Sequence, residues 1–264
     1  MAITDESKNI QRWTPFCRNT MPQTHLLTKA RPFRRVEVVI AAPSLNPRTL
    51  TMLPLNPEKG RIFRIVHVAN MPWILDHRGL HCQNSTEQDP NYVNIGNASL
   101  IDRRARRPVP IPPGGFLSDY VPFYFTPFSI MMYNIKTGYG PVTQRDNGDI
   151  VILVSSVHRL RELKLPFIYT NQHAYSVDTY FYDGSDDLRQ IDWALLQERD
   201  FKTDDADPGK QLRYQAEALI YRHVPLEAVL GIVCHNETVS HGIESLLEER
   251  NEKIAVRAIP DWYF

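Results

Sequence analysis

One carboxylate interrupts a strand-like apolar run late in this chain. The run reads Tyr-Gln-Ala-Glu-Ala-Leu-Ile at residues 214–220, and its acid is Glu217. Successive side chains of a strand point to opposite faces, so Ala216, Ala218 and Ile220 share one face and Glu217 lies on the other. Two interpretations follow. Glu217 is either the solvated side of a half-exposed strand, the commoner case, or a carboxylate that a rigid strand aims into a cleft.

Strand and helix patterns are mixed along the chain without regular alternation of the two. A continuous apolar run at residues 150–155 predicts a buried central strand. Because no Gly-rich phosphate loop follows a strand, the pattern favours an α+β fold over a Rossmann fold. We expect further strands at 62–68, 229–234 and 254–259, helices at 187–199 and 239–250, and a short helix from an Asn70 N-cap to Gly79 at its C′ position.

The composition is that of a globular protein, with 42% hydrophobic and 23% charged residues. Its apolar runs are shorter than the roughly 18 residues that span a bilayer, and the N-terminus lacks the apolar core of a secretory signal. We therefore expect a cytoplasmic location and no membrane partner. Cys17, Cys82 and Cys234 are far apart, so we expect free thiols, and we expect no bound metal.

The chain divides near residue 56 into a leader and a domain. Residues 1–55 hold eight Lys and Arg against three Asp and Glu, with recurrent prolines and one short strand-like run at 36–41. This composition predicts a basic, poorly ordered leader, and Met52 is a possible alternative start. The dense patterning of residues 56–264 predicts the functional domain. Although the net charge is zero, its uneven distribution is compatible with an anionic partner.

Residues 86–115 form a long segment rich in Asn, Pro and Gly. Its length and composition predict a binding loop. It contains a cluster of four arginines followed by a proline-rich stretch at 108–115. Guanidinium groups on such a stiff segment can hold phosphates bidentately, although a solvated basic loop has the same pattern. The arginines are Arg103, Arg104, Arg106 and Arg107.

Two weaker patterns lie on either side of this loop. His67 and Asn70 form an H-x-x-N motif at the end of a predicted strand, where a structural histidine and a helix cap are as plausible as a binding pair. Aromatic residues crowd into positions 120–128. Such a cluster is more often core packing than a platform for stacking bases, but aromatic side chains beside a basic loop also suit a nucleotide or single-stranded nucleic acid.

Taken in order, four of these segments resemble the DarT family of DNA ADP-ribosyltransferase toxins. They are residues 63–75, Arg104 with 109–112, residues 120–125 and residues 214–219. The resemblance covers residues 56–264 and implies an ADP-ribosyltransferase-like split β-sheet domain with flanking helices. It also implies an enzyme that uses NAD⁺ to link ADP-ribose to a base of single-stranded DNA, typically thymine and in one branch guanine. The family is usually encoded with DarG, a macrodomain antitoxin.

The resemblance assigns roles to individual residues. Glu217 resembles the catalytic glutamate and Arg104 the catalytic arginine. The expected NAD⁺ contacts are His67, Asn70, Tyr120 and Tyr124. The remaining arginines of the cluster, Arg103, Arg106 and Arg107, are expected to bind DNA.

Two other functions stay open at the level of sequence. The first is a non-catalytic nucleic-acid-binding module that uses the arginines and aromatic residues. The second is a transferase that acts on protein or on a free nucleotide.

Overall fold

The computed structural model of the protein describes residues 54–185 and 188–264. The predicted leader, with its strand-like run at 36–41, lies almost entirely outside these ranges. Within them, no helix has the length and apolar character needed to cross a membrane.

The domain is built on a large mixed sheet with short helices around it. Its strands are β1 (Arg61–His67), β2 (Gly79–His81), β3 (Tyr120–Tyr124), β4 (Ile150–Ser156), β5 (Phe167–Thr170), β6 (Phe181–Asp183), β7 (Glu217–Tyr221), β8 (His223–Pro225), β9 (Gly231–Cys234) and β10 (Val256–Ala258). Its helices are α1 (Met71–Asp76), α2 (Ala98–Arg104), α3 (Ile130–Thr137), α4 (Val157–Glu162), α5 (Trp193–Glu198), α6 (Lys210–Arg213) and α7 (Glu237–Glu249).

The large sheet has the strand order β10-β9-β4-β1-β3-β7-β5-β6, and β2 pairs with β8 in a separate small sheet. The paired strands are antiparallel except β9 and β10. Strands β1 and β4 pair along their whole length, whereas β1 and β3 meet only at Phe63 and Tyr124. The sheet is therefore split between β1 and β3, which confirms the predicted α+β, split-sheet fold.

The apolar run at 150–155 forms β4, and all of its residues are buried. It lies between β1 and β9, with both faces covered by core side chains. A strand buried on both faces needs apolar residues at every position, which is why the sequence pattern was continuous rather than alternating. The prediction of a buried central strand is confirmed.

The turn after α1 differs from the prediction. The helix ends at Asp76, and the left-handed residue after its cap is Arg78, at φ 58°, whereas Gly79 has φ 149°. Gly79 instead begins β2, where a Cβ atom would lie 2.2 Å from the Val224 carbonyl oxygen. The glycine is explained by this close approach of two strands and not by a helix C′ position, so that part of the prediction is wrong.

Two further elements differ from their predicted extents. The predicted loop at 86–115 contains α2, which begins where the Asn97 side chain accepts a hydrogen bond from Leu100 N at 3.2 Å. No residue of α2 is fully buried, so the helix carries no apolar stripe for a sequence pattern to reveal. The helix predicted at 187–199 is restricted to α5, because Asp192 caps its start and left-handed Arg199 ends it.

We expect residues 1–51 to be dispensable for folding, because their composition predicts no core of their own and the described core reaches back to Leu55. Leu55 is 3% exposed, and its carbonyl oxygen accepts a hydrogen bond from Gln197 at 2.6 Å. A chain that starts at Met52 should keep the free energy of unfolding in urea. A chain that starts at Gly60 should lose about 1.5–3 kcal/mol through loss of Leu55 alone. Loss of cooperative unfolding in the Met52 chain would show that the leader is part of the folded domain.

Candidate active site

Glu217 is the first residue of β7 and is buried in the domain. Its neighbours Ala218 and Ile220 point into the main core, and Glu217 points to the opposite face. That face is covered by a second apolar cluster, which contains Leu219 and Ala174. Glu217 is 1% exposed. The interpretation of Glu217 as a solvated surface acid is therefore wrong.

Arg104 binds the Glu217 carboxylate with both ends of its guanidinium group. Arg104 Nη1 donates to Glu217 Oε1 at 3.0 Å and Nη2 donates to Oε2 at 2.8 Å. The Ala174 backbone N–H donates to Oε1 at 2.9 Å. Arg104 ends α2, so the ion pair joins that helix to the start of β7. A bidentate pair with a third donor fixes the plane of the carboxylate as well as its position.

The electrostatics of the pair favour the ionised form of Glu217. Burial alone would raise the pKa of this carboxyl group, but Arg104 outweighs that effect with the help of the Ala174 N–H. The resulting pKa lies below the usual glutamate value. Burial would likewise lower the pKa of Arg104. The Glu217 carboxylate outweighs that effect, so the pKa of Arg104 is raised. Both partners are therefore charged at neutral pH, in a site from which solvent is largely excluded.

His173 is a member of this site that the sequence analysis missed. Its Nδ1 accepts a hydrogen bond from the Tyr175 N–H at 3.2 Å. Burial lowers the pKa of His173, and Arg104 and Arg103 lower it further although Glu217 opposes them. In the neutral ring the proton is thus on Nε2, which makes that nitrogen a donor. His173 belongs to no motif, and only the fold brings it beside Glu217.

A cavity of about 410 Å³ opens in front of the ion pair. Its wall includes five residues that the sequence analysis proposed as site residues: Asn70, Arg104, Tyr120, Tyr124 and Glu217. The segment at residues 82–97 forms much of the opposite wall. A concave site of this size with a buried charged pair at one end has the form expected of a small-molecule site.

The two tyrosines contribute to the cavity in different ways. The Tyr120 hydroxyl donates to the Gly114 carbonyl at 2.7 Å and so holds the proline-rich loop. Tyr124 lies opposite Glu217 in the β3–β7 register, and its hydroxyl contacts Met131 Sδ at 3.8 Å. Burial raises the pKa of both phenols to about 12. Both are therefore neutral side chains at physiological pH.

Comparisons with known proteins agree on the family. Residues 63–264 match the family described as "DarT: ssDNA thymidine ADP-ribosyltransferase, DarT". A DNA ADP-ribosyl transferase of Escherichia coli O127:H6 (strain E2348/69 / EPEC) is 50% identical over 210 residues, which are 80% of this chain and 96% of the relative. The match spans nearly the whole domain. The chain belongs to the DarT family.

Solved DarT structures have the same fold. Thermus sp. 2.9 DarT in complex with ADP-ribosylated ssDNA aligns with a TM-score of 0.73 at 31% identity, over 79% of this chain and 98% of that one. The same protein in complex with NAD⁺ aligns with a TM-score of 0.70 at 31% identity, over 79% and 99% of the two chains. The family and fold inferred from the four sequence segments are confirmed.

The H-x-x-N motif of this DarT-family chain has structural contacts. Both ends of the Asn70 amide bind the Val93 backbone, accepting from its N–H at 2.8 Å and donating to its carbonyl at 3.0 Å. Asn70 thus anchors the cavity wall at 82–97. His67 Nδ1 accepts from Ala69 N at 3.1 Å, and His67 is absent from the cavity lining. Their assignment as an NAD⁺-binding pair stays a prediction.

The arginines beside Arg104 are not equivalent. The Arg103 guanidinium lies over the Tyr175 ring, 5.3 Å from its centroid, and Arg107 Nη2 donates to the Ser176 carbonyl at 3.1 Å. Both contacts hold the segment that supplies His173 and the Ala174 N–H to the site. Arg106 is exposed. Arg103 is exposed as well but contacts Tyr175, and the binding of DNA by these three arginines stays a prediction.

His77 and His81 are four positions apart, a spacing that metal-binding histidines can have. In the described ranges, however, no group of three or more His, Cys, Asp or Glu side chains is arranged to hold a metal ion. The His77 ring stacks on Trp73, with the ring centroids 4.0 Å apart, and His81 lies 3.6 Å from Glu87. Both histidine rings therefore have structural contacts at or near the small β2–β8 sheet.

Proposed function

We propose that this chain transfers ADP-ribose from NAD⁺ to a thymine base of single-stranded DNA and releases nicotinamide, with Glu217 as the catalytic carboxylate. The observation that carries this proposal is the buried, ionised Glu217 at the end of the cavity, held by Arg104 and the Ala174 N–H. Family membership supports the reaction, and the geometry supports the residue.

The chemistry requires a fixed negative charge beside the ribose. As the bond between nicotinamide and ribose C1′ breaks, its electron pair leaves with nicotinamide and positive charge develops on the ribose. A preorganised carboxylate that binds a ribose hydroxyl stabilises that charge where it forms. The lowered pKa of Glu217 keeps the carboxylate ionised for this purpose.

The acceptor must lose a proton. The ring nitrogen of thymine that forms the new bond to C1′ carries one N–H, and we assign its proton to Glu217, the carboxylate that we propose beside the ribose. We propose that Arg104 stabilises negative charge on the base as that proton leaves. A duplex hides this edge of thymine in its base pair, which accounts for a single-stranded substrate.

The alternative functions are less consistent with the site. A module that only bound nucleic acid would have no use for a carboxylate buried with its arginine behind a cavity, since removing both charges from water is costly. A protein acceptor has no observation in its favour. As partner we propose a DarG-like macrodomain antitoxin that removes the modification, on the strength of family membership alone.

The first test is Glu217→Gln, which keeps the shape of the side chain and removes its charge. Transfer should fall by about 10²- to 10³-fold, because one preorganised electrostatic contact is lost in the transition state. NAD⁺ affinity should change far less than turnover. Modification is measured by mass spectrometry on single-stranded oligonucleotides that each offer one base type, and NAD⁺ binding by calorimetry.

Glu162→Gln is the matched control, because Glu162 also accepts a hydrogen bond from an arginine, Arg159, at 2.7 Å but lies on α4 outside the cavity. It should transfer ADP-ribose at the wild-type rate. Near-normal transfer by the Glu217 variant would reject its catalytic role. Modification confined to a base other than thymine would reject the proposed acceptor and leave the role of Glu217 standing.

A second test separates DNA binding from positioning among the arginines. Arg106→Gln should reduce the slope of log binding constant against log salt concentration by about 0.7, the value for one phosphate contact on a single strand. Arg107→Gln should leave that slope unchanged and lower turnover at saturating DNA, because the segment at 173–176 loses its hydrogen bond from the Arg107 side chain. Fluorescence anisotropy and rate measurements on both variants check this. Equal changes in slope would indicate a diffuse basic patch instead.

A further inference from the structure

Arg64 lines the same cavity, and neither the residue roles expected from the sequence nor the proposed mechanism uses it. It lies in the middle of β1, three positions before His67. Its Nη1 donates to the Pro122 carbonyl at 3.2 Å. Its Nε is shielded from solvent and has no hydrogen-bond partner among the described residues. Strand β1 therefore presents an arginine to the cavity, and this arginine is only partly satisfied by the protein itself.

The other cationic side chains around the cavity are accounted for. Arg104 is neutralised by Glu217, and His81 lies 3.6 Å from the Glu87 carboxylate. His173 is neutral, for the reasons given above. No carboxylate of the described residues lies within ion-pair distance of Arg64. A partly buried guanidinium without a counter-ion is unfavourable, so this position favours an anionic ligand.

The position of Arg64 indicates which part of a ligand it meets. Phe63, the neighbour of Arg64 in β1, pairs with Tyr124, the residue opposite Glu217 in the β3–β7 register. Arg64 therefore lies beside the catalytic end of the cavity but on another strand. A positively charged nicotinamide ring would be repelled there. A diphosphate suits the planar fork of an arginine, which offers parallel N–H donors to phosphate oxygens.

We propose that Arg64 binds the diphosphate of the NAD⁺ donor and so fixes the ribose in front of Glu217. The proposal rests on the proposed function for the identity of the donor. The binding residue proposed on β1 is thus Arg64 and not His67 of the H-x-x-N motif. His67 accepts a hydrogen bond from Ala69 N and does not line the cavity.

ADP-ribose tests this inference without any transfer chemistry, because it carries the diphosphate and lacks nicotinamide. Arg64→Gln should weaken ADP-ribose binding by about 10- to 100-fold, the range expected for losing a hydrogen bond to a charged group. Arg64→Lys should recover part of that loss, because it restores the charge but not the fork. Calorimetry at several salt concentrations should also show that the affinity of the Gln variant depends less on salt than that of the wild type.

Arg257→Gln is the matched control. The Arg257 guanidinium likewise donates to a backbone carbonyl, that of Val256 at 2.8 Å, but β10 lies at the far edge of the sheet. This variant should bind ADP-ribose as the wild type does. Circular dichroism of each variant establishes that it is folded before its affinity is compared.

The outcomes separate the inference from the function on which it rests. If the wild type failed to bind ADP-ribose, the proposed donor would be wrong. If the wild type and Arg64→Gln bound it equally, the donor would stand and the role of Arg64 would be wrong. A changed salt slope for single-stranded DNA, with ADP-ribose binding intact, would instead assign Arg64 to the DNA backbone and overturn the proposal.

Discussion

The bidentate ion pair between Arg104 and Glu217 is the interaction on which the site depends. Burying either charge alone is unfavourable by several kcal/mol, so each residue requires the other. The pair fixes the end of α2 against the start of β7. The Ala174 N–H joins the same carboxylate, and Arg103 and Arg107 hold the adjoining segment. One cluster of arginines thus orders the catalytic end of the cavity.

The split in the sheet explains why there is a cavity at all. Strands β1 and β3 pair at a single position, so the two halves of the sheet diverge beside Glu217. The segment at 82–97 forms one wall of the cavity, and it is anchored by the Asn70 amide rather than by apolar packing alone. The carboxylate is consequently rigid and desolvated, while the space in front of it stays open. That combination is what electrostatic stabilisation of a developing positive charge requires.

Sequence patterns predicted the parts of this structure that follow from local periodicity or from a motif. The continuous apolar run of β4 was found because a strand buried on both faces has a characteristic composition. Glu217 and Arg104 were found through motifs, but their contact across more than a hundred residues was not.

Other parts of the structure left no signal in the sequence. Helix α2 has no buried face and so left no periodic signal. His173 and Arg64 were missed because only the fold brings them to the cavity. The glycine at 79 was misassigned because its cause is a neighbouring strand.

The ionisation of Glu217 is the most direct test of this account. The carboxyl carbon can be followed by ¹³C NMR during acid titration, with Glu217→Gln identifying its signal. With Arg104 in place the midpoint should lie below the ordinary glutamate value of 4.5. The stability that the ion pair contributes is then fully present above pH 4.5 and is lost as the pH falls through the midpoint. In Arg104→Gln, burial acts without its counter-charge, and the midpoint should move above 4.5. A wild-type midpoint above 4.5, or one that Arg104→Gln leaves unchanged, would contradict the central role of the ion pair.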